Sequence, residues 1–572
     1  MAFRKTAASM GMLAGVMTLG GCGGDGASSV ASANTTPASN SSLAKLVASQ
    51  SFANDGASQT AAFDLVTGNT TAGSSTAKPL TISYDATSNS YTITTQGRSQ
   101  TFAPADMASA ANGIAVYSKT SGTTTDRLTM LAANVTGYNS AAPQYSGLAY
   151  WQRYSVSGTG EATTFDIFTY GLDTPASAVP RTGQAAYATT VVGLVTLPGT
   201  EARMFQGTGR LDVDFLDGIL STSATTTETG LASGAVIGGT GSLTGTGTLS
   251  SSANAFTGTV HYSGSGNSSS GTLSGRFYGP SAQELGAAFS SSGSDGSAAS
   301  GAIWGIASPG TTPINLSVAN PATDQTYAAA AAELDSTPST GSSTSLGTNP
   351  LAVTTAGDVT IGGGSSYLAQ TTLANSDRVA ATDTNFTSFQ KTVNGATVAL
   401  DMYRPGNSEL ALTYMSFGRW RETPDAAAQG TSIYTYFVYG LTTDAATLAA
   451  RTGTAHYAGV AYGTAFDSGT GTGNAVKGAS AFDIDFNIGG YAGTIALKSS
   501  STDYGTFNAS GTLSSGMPAQ GSLTGTKGGT GQITPSFYGP AAQEFGGPFR
   551  ISISGSGSAT TTIVGATVTK AN

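Results

Sequence analysis

The chain has 572 residues, enough for two to four domains, and only 10% of them are charged. The formal net charge of −9 and the lack of a basic cluster argue against duplex nucleic acid as a partner, because phosphate binding needs clustered Lys and Arg. Two His and one Cys exclude a His-rich metal centre and an internal disulfide. We therefore predict neither a metal site nor a cofactor.

Residues 1–21 have the features of a secretory signal: two basic residues, a short apolar segment and small residues before a cleavage point. The segment leads into Leu-Gly-Gly-Cys22, which is similar to the lipobox of bacterial lipoproteins, and Cys22 is the only Cys in the chain. We predict acylation of Cys22 and a flexible tether at 22–45. Several acyl chains would hold the protein on a membrane. An ordinary signal peptide with a chance Cys is the alternative.

The rest of the chain consists of two copies of one unit. Tyr145–Trp151 and Tyr414–Trp420 lie 269 residues apart, and FYGPSAQELG at residue 277 returns as FYGPAAQEFG at residue 537. Three further pairs keep the same order: Phe168–Leu172 with Phe437–Leu441, Arg181–Tyr187 with Arg451–Tyr457, and Asp212–Phe215 with Asp483–Phe486. Five ordered matches indicate a tandem duplication, with a shorter region after Phe486 in the second copy.

Each unit is predicted to be β throughout. Leu80–Thr95 alternates apolar and polar residues on both sides of a turn, which is typical of a hairpin. Because alternating strands bury one face only, a closed antiparallel barrel is favoured for the second half of each unit, and its length suits eight strands. A smaller, flatter sheet is expected in the first half. The run Ala328–Leu334 is the best candidate for a helix.

The repeated FYGP motif is predicted to close each barrel. Phe and Tyr would end a strand with one ring on each face, and Gly-Pro would turn the chain into a short helical turn. The next Gly would end that turn in a left-handed conformation. The residues of this signature are Phe277, Tyr278, Gly279, Pro280, Glu284 and Gly286, and Phe537, Tyr538, Gly539, Pro540, Glu544 and Gly546.

These motifs resemble the transferrin-binding protein B family of surface lipoproteins, in which an FYGPxAxELGG signature precedes the last barrel strand. The chain departs from it at Ala287-Ala288 and Pro548. The resemblance implies an all-β fold with two tandem lobes, each a small β-sheet handle domain followed by an eight-stranded antiparallel β-barrel. The predicted segments are 46–180 and 181–307 for the handle and barrel of lobe one, 308–330 for a linker, and 331–450 and 451–568 for lobe two.

The resemblance further implies a lipid-anchored protein of the outer membrane that has a binding rather than a catalytic role. Its ligand would be an extracellular protein at the cell exterior. A role in iron or haem acquisition, a surface-lipoprotein translocon and a TonB-dependent transporter would fit it. A structural or adhesive surface lipoprotein is the alternative. Paired carboxylates at Asp212/Asp214 and Asp483/Asp485 are interpreted as solvated barrel faces, and no enzyme activity is predicted.

Two aromatic strands carry the candidate partner contacts. Trp, Tyr and Arg are common in binding hot spots, so the residues singled out are Trp151, Arg153, Arg419, Trp420 and Arg421. Core packing is the competing interpretation, because the two Trp recur at matching positions in both lobes.

Overall fold

The structure is a computed structural model that describes residues 39–572 apart from 96, 112, 132–142, 338–340, 362–369, 425–431 and 556–558. The chain divides into two compact units, residues 1–313 and 314–572. Each unit holds an open antiparallel sheet, here called the handle, followed by a barrel. The predicted all-β, two-lobe fold is confirmed.

Among the described residues, the first handle is a ten-stranded sheet. Its strands are β1 (Gln50–Asp64), β2 (Thr70–Ala77), β3 (Thr81–Asp85), β4 (Ser90–Thr95), β5 (Arg98–Phe102), β6 (Met107–Ala111), β7 (Ile114–Ser121), β8 (Thr124–Leu131), β9 (Ser146–Ser157) and β10 (Gly160–Gly171). They lie in the order β5-β4-β3-β1-β10-β9-β8-β7-β6, and β2 pairs with β1 beside this path. The hairpin predicted over Leu80–Thr95 is β3–β4, which pair antiparallel.

The first barrel closes with eight strands in sequence order. They are β11 (Gln184–Thr196), β12 (Arg203–Asp214), β13 (Ile219–Gly230), β14 (Val236–Leu249), β15 (Phe256–Gly264), β16 (Asn267–Tyr278), β17 (Glu284–Ser292) and β18 (Ala298–Ala307). Closure comes from antiparallel pairing of β11 with β18. A closed barrel leaves no free sheet edge.

The second handle has nine strands in the described part of the chain. They are β19 (Gln325–Thr337), β20 (Gly341–Val353), β21 (Val359–Ile361), β22 (Thr371–Leu373), β23 (Arg378–Val379), β24 (Phe386–Val393), β25 (Ala396–Tyr403), β26 (Met415–Thr423) and β27 (Ser432–Gly440). Their order is β22-β21-β20-β19-β27-β26-β25-β24-β23. As in the first handle, the first strand lies beside the last.

The second barrel follows a five-residue helix, α1 (Ala445–Ala449). Its strands are β28 (Thr454–Asp467), β29 (Thr472–Asp485), β30 (Gly490–Lys498), β31 (Asp503–Ser514), β32 (Met517–Pro518), β33 (Gly521–Gly525), β34 (Thr530–Ile533), β35 (Ser536–Tyr538), β36 (Glu544–Ser554) and β37 (Thr560–Ala571). Pairing of β30 with β31 closes a ring of eight, with β32 and β35 as short additions. The region after Phe486, which is shorter in the second copy, contains the short β33–β34 hairpin.

Glycines inside the barrels make room for aromatic rings. A Cβ built on Gly193 would lie 2.2 Å from the ring of Phe205, and one on Gly301 would lie 2.5 Å from the ring of Phe289. In the second barrel, a Cβ on Gly565 would lie 2.4 Å from the ring of Phe549. These three glycines therefore leave room for large rings in a narrow interior.

The helix predicted at Ala328–Leu334 is wrong, because these residues lie within strand β19. This strand pairs with β20 on one side and β27 on the other, so its backbone hydrogen bonds are satisfied within the sheet. Ala329, Ala332 and Leu334 are fully buried there. Tertiary pairing thus overrides the helix propensity of alanine. The strand also begins at Gln325, within the segment 308–330 assigned to a linker.

The two outer strands of each handle sheet are joined by one turn of 3₁₀ helix, and a lysine contacts both this turn and one of the outer strands. In lobe one, the Lys119 ammonium lies 3.5 Å from the Thr101 carbonyl oxygen and 3.6 Å from Asp106. In lobe two, Lys391 lies 3.3 Å from the Thr372 carbonyl oxygen and 3.7 Å from Asp377. Each lysine therefore ties an outer strand to the turn that follows it.

Candidate contact sites and the joint between handle and barrel

The two rings of the FYGP motif point to opposite sides of the barrel wall, as predicted. Phe277 belongs to the barrel core, 5.5 Å from Phe256 between ring centroids. Tyr278 is fully buried against the handle, where a Cβ on Gly171 would lie 2.9 Å from its ring. Tyr538 and Gly440 repeat this contact in lobe two, at 2.8 Å. The motif therefore fills the barrel with one ring and packs against the handle with the other.

The helical turn predicted after Gly-Pro is wrong. Residues 279–282 form a non-helical turn, and the left-handed positions are Gly279 (φ 85°) and Ala282 (φ 60°) rather than Gly286, which lies in β17. The barrel fixes this strained alanine, because the Tyr187 hydroxyl donates a hydrogen bond to the Ala282 carbonyl at 2.7 Å. The second copy has the same geometry at Gly539 and Ala542, with φ of 86° and 53°.

The glutamate of the motif joins the barrel to the handle. Glu284 accepts hydrogen bonds from the backbone N–H groups of Gln144 (2.6 Å), Tyr145 (3.1 Å) and Ser146 (2.8 Å), and from the Ser146 hydroxyl (2.6 Å). Its side chain has little access to solvent, since the residue is 3% exposed. In such surroundings a carboxylate is retained only when its oxygens are hydrogen-bonded.

Lobe two repeats this joint with different neighbours. Glu544 accepts from the backbone N–H groups of Thr413 (2.6 Å), Tyr414 (2.9 Å) and Met415 (2.8 Å). Burial raises the pKa of Glu544 to about 7, an effect that exceeds the opposing influence of the three N–H groups and of Lys570. The glutamates were included in the signature, but their contact with the handle was not anticipated, because the sequence does not show which backbone segment lies opposite.

Trp151 lies in the core of the first handle rather than on its surface. The side chain is fully buried, and its indole N–H donates to Asp126 at 2.9 Å. Two guanidinium groups flank the ring, with the carbon of Arg98 at 4.2 Å and that of Arg153 at 5.4 Å from the ring centroid. Burial, with the nearby Arg153 charge, lowers the pKa of Arg98 to about 10. This cation–π cluster stabilises the handle.

The arginines of this cluster are neutralised within the chain. Arg153 forms two hydrogen bonds with Asp126, at 2.7 and 2.8 Å, and Arg98 pairs with the buried Asp166. Arg153 also lines an open groove of about 590 Å³ on the handle face, together with Ser, Thr and Ala side chains that include Thr60 and Thr164. Of the two candidate contact residues in lobe one, Trp151 and Arg153, only Arg153 thus reaches a surface groove.

The lobe-two candidates occupy three different environments. Trp420 is 4% exposed and packs in the core of the second handle. Arg419 is half-buried and pairs with Asp401, its Nη2 atom 2.5 Å from a carboxylate oxygen. Arg421 is exposed. The structure therefore brings neither Trp to the surface, and partner contact by Arg153 and Arg421 stays a prediction.

The carboxylate pairs differ between the lobes. Asp212 and Asp214 were expected to face solvent, but both are buried, and Asp212 forms an ion pair with Arg210. The expectation failed because Arg210 is itself held against the chain that follows the barrel, donating to the Thr312 carbonyl at 3.0 Å. In lobe two, Asp483 is exposed as predicted and lies 2.6 Å from His456.

The predicted lipidation site, Cys22, lies outside the described residues. Among the residues that are described, no group of three or more His, Cys, Asp or Glu side chains is arranged to hold a metal ion. The described part of the chain contains no helix that is both long and apolar enough to cross a membrane.

Comparison with known proteins identifies the first barrel. Residues 179–304 match the family model described as the C-lobe and N-lobe β-barrels of Tf-binding protein B. The first barrel is therefore similar to the barrels of this family. The matched range contains β11–β17 and most of β18, and it includes the first FYGP motif. The family resemblance inferred from this motif is thereby confirmed for the first barrel.

Solved structures of transferrin-binding protein B are also similar at low identity. A double mutant from Haemophilus parasuis Hp5 is 17% identical over 75% of this chain and 83% of its own, with a TM-score of 0.27. The protein from serogroup B Neisseria meningitidis is 16% identical over 76% and 85%, with a TM-score of 0.25. Intact Ap-TbpB is 15% identical over 75% and 85%, with a TM-score of 0.26. No curated protein matches the chain. Similarity at this level carries no inference about ligand.

Proposed function

We propose that the protein is an outer-membrane lipoprotein, anchored through Cys22 and exposed at the cell surface, that binds an extracellular protein. The observation that carries the proposal is the matched barrel family at residues 179–304, together with the handle–barrel architecture repeated in lobe two. The Leu-Gly-Gly-Cys22 motif at the end of a signal-like segment supports the anchor. A TonB-dependent transporter and a surface-lipoprotein translocon are the partners that such a protein would need for nutrient uptake and export.

The anchor is tested by metabolic labelling with radiolabelled palmitate in a Gram-negative host. We expect label in the full chain, no label in Cys22→Ala, and loss of that variant from the membrane fraction, since no other Cys is present. Protease added to intact cells should digest the wild-type handles if the protein faces outward. Label that persists in Cys22→Ala would overturn the anchor, and protection from protease would overturn surface display.

The ligand is tested by capture of serum and secreted proteins on the purified chain lacking residues 1–22. A saturable protein partner supports the receptor function, and added iron or haem loading of that partner would show whether uptake is involved. Binding that is restricted to polysaccharide or to whole cells would instead support an adhesive or structural lipoprotein. Arg421→Glu should weaken a partner that contacts the second handle, because Arg421 is exposed and its replacement leaves the core unchanged.

A further inference from the structure

The strand register of the second handle places three carboxyl side chains on one face. Glu333 and Asp335 are two residues apart on β19, and Asp335 lies opposite Ile433 of β27. Ile433 in turn lies opposite Glu422 of β26. Residues that are directly opposite, or two apart on one strand, point to the same side of a sheet. The three carboxyl groups are therefore neighbours near one end of β19 and β26.

Glu422 is buried without a compensating group. The residue is 7% exposed, and its Oε2 atom is buried without a hydrogen-bond partner. Burial raises the pKa of the Glu422 carboxyl, and the charges of Glu333 and Asp335 raise it further. The charged groups that act on Glu422 are thus both acidic. An ionised carboxylate in such a place is unfavourable unless a cation joins it. Asp335 is half-buried, so the cluster can be reached from solvent.

Lobe one fills the corresponding position with a cation of its own. Trp151 matches Trp420, so the residue two positions later is Arg153 in lobe one and Glu422 in lobe two. Arg153 forms two hydrogen bonds with Asp126 from the neighbouring strand. The strand opposite Glu422 carries Val398 in place of that aspartate. The duplicated sheet therefore holds a guanidinium–carboxylate pair in one lobe and a carboxylate lacking such a partner in the other.

We propose that Glu422, with Glu333 and Asp335, forms a site for a guanidinium cation, supplied as an arginine side chain of a protein partner. Guanidinium donates two parallel hydrogen bonds to a carboxylate, which suits an unpaired Glu422. A bare divalent metal is disfavoured, because the described residues contain no carboxylate group arranged to hold one. The site depends on the proposed function in one respect only, namely that the arginine comes from a bound protein.

The test is an isothermal titration of the chain lacking residues 1–22 with arginine amide at neutral pH, beside citrulline amide and calcium chloride. We expect saturable binding of arginine amide, at least tenfold weaker binding by Glu422→Gln, and no binding of citrulline amide, which has the same length without the charge. Asp324→Asn is the matched control, since Asp324 is an exposed acid of the same handle that bonds to Thr355. This control should bind as the wild type does.

Glu422→Arg provides a second variant if Glu422→Gln fails to fold. It would supply the cation from within the chain, as lobe one does, and should abolish arginine amide binding while keeping the thermal midpoint of the wild type. Equal binding of arginine amide by Glu422→Gln, equal binding of citrulline amide, or tighter binding of calcium would each overturn the site. A folded protein that binds arginine amide but captures no extracellular protein would overturn the proposed function alone.

Discussion

Removal of the Glu284 carboxylate should weaken the contact between the handle of lobe one and its barrel. Glu284→Ala leaves the N–H groups of Gln144, Tyr145 and Ser146 and the Ser146 hydroxyl without their acceptor. A buried polar group that loses its partner costs about 1–3 kcal/mol. The four donors left without an acceptor set the upper limit of the stability loss. The variant no longer buries a carboxylate, and the desolvation cost that it avoids makes the loss smaller. We expect a loss of about 3–5 kcal/mol in the free energy of unfolding.

The same barrel offers a matched control. Glu201 also accepts from two backbone N–H groups and a hydroxyl, those of Ala232 and Ser233, but these bonds are exposed to solvent. Water can replace the lost acceptor there, so Glu201→Ala should cost less than about 1 kcal/mol. The two variants remove the same chemical group from the same lobe and differ mainly in burial.

Urea unfolding followed by intrinsic fluorescence, with differential scanning calorimetry, measures both variants in the chain lacking residues 1–22. For a unit of this size, each kcal/mol lowers the unfolding midpoint by about 2–4 °C. Glu284→Ala should also expose the connection before β11 to limited proteolysis. If Glu284→Ala and Glu201→Ala lower stability equally, the carboxylate is not the joint, and the reasoning is refuted.

Further predictions concern the second joint, the FYGP contact, the lysine bridge and the buried tryptophans. Because the pKa of Glu544 is raised to about 7 on folding, its contribution to stability is fully present below the unfolded pKa near 4.5 and is lost as pH rises through 7. The free energy of unfolding of lobe two should therefore fall by about 3 kcal/mol over this range, and a Glu544→Gln variant with an unchanged pH profile would contradict this assignment. Gly171→Ala, whose Cβ would lie 2.2 Å from the Tyr145 carbonyl oxygen, should cost about 2–4 kcal/mol, whereas Gly310→Ala, with open space around its Cβ, should be nearly neutral by urea unfolding. Lys119→Gln should cost less than about 1 kcal/mol in low salt and nothing in high salt, because its ion pair is exposed. Trp420→Ala should lower the unfolding free energy by about 3–5 kcal/mol, and Arg421→Ala should leave it unchanged; the opposite order would place Trp420 at the surface.

The duplicated barrel could be predicted because its determinants are local and repeated. Alternation sets which residues face inward, and the FYGP rings of Phe277 and Tyr278 occupy the two sides of the wall as expected. Ala328–Leu334 could not be placed, since an alanine run carries no strand period and one of its two neighbouring strands, β27, is distant in sequence. Ala282 was missed for a similar reason: its left-handed conformation is imposed by the Tyr187 hydroxyl rather than by its own preference.

The candidate site was less predictable than the fold. The sequence could not distinguish a buried Trp151 from an exposed one, because burial depends on how β3–β5 fold over the main sheet. The sequence likewise contained no sign that Asp212 would be buried beside Arg210. Lys119 and Asp106 recur as Lys391 and Asp377 at offsets of 272 and 271 residues, close to the 269 of the longer handle motif, so this repeat could have been found. It was missed because the residues between them differ.

The joint made by Glu284 and Glu544 has a consequence for how duplicated lobes can diverge. Each glutamate binds main-chain N–H groups, which every residue except proline provides. The segments that it holds read Gln144-Tyr145-Ser146 in one lobe and Thr413-Tyr414-Met415 in the other, yet the donors lie in the same places. After duplication, the handle sequences could therefore change and acquire different surfaces without loss of the contact between this carboxylate and the handle backbone.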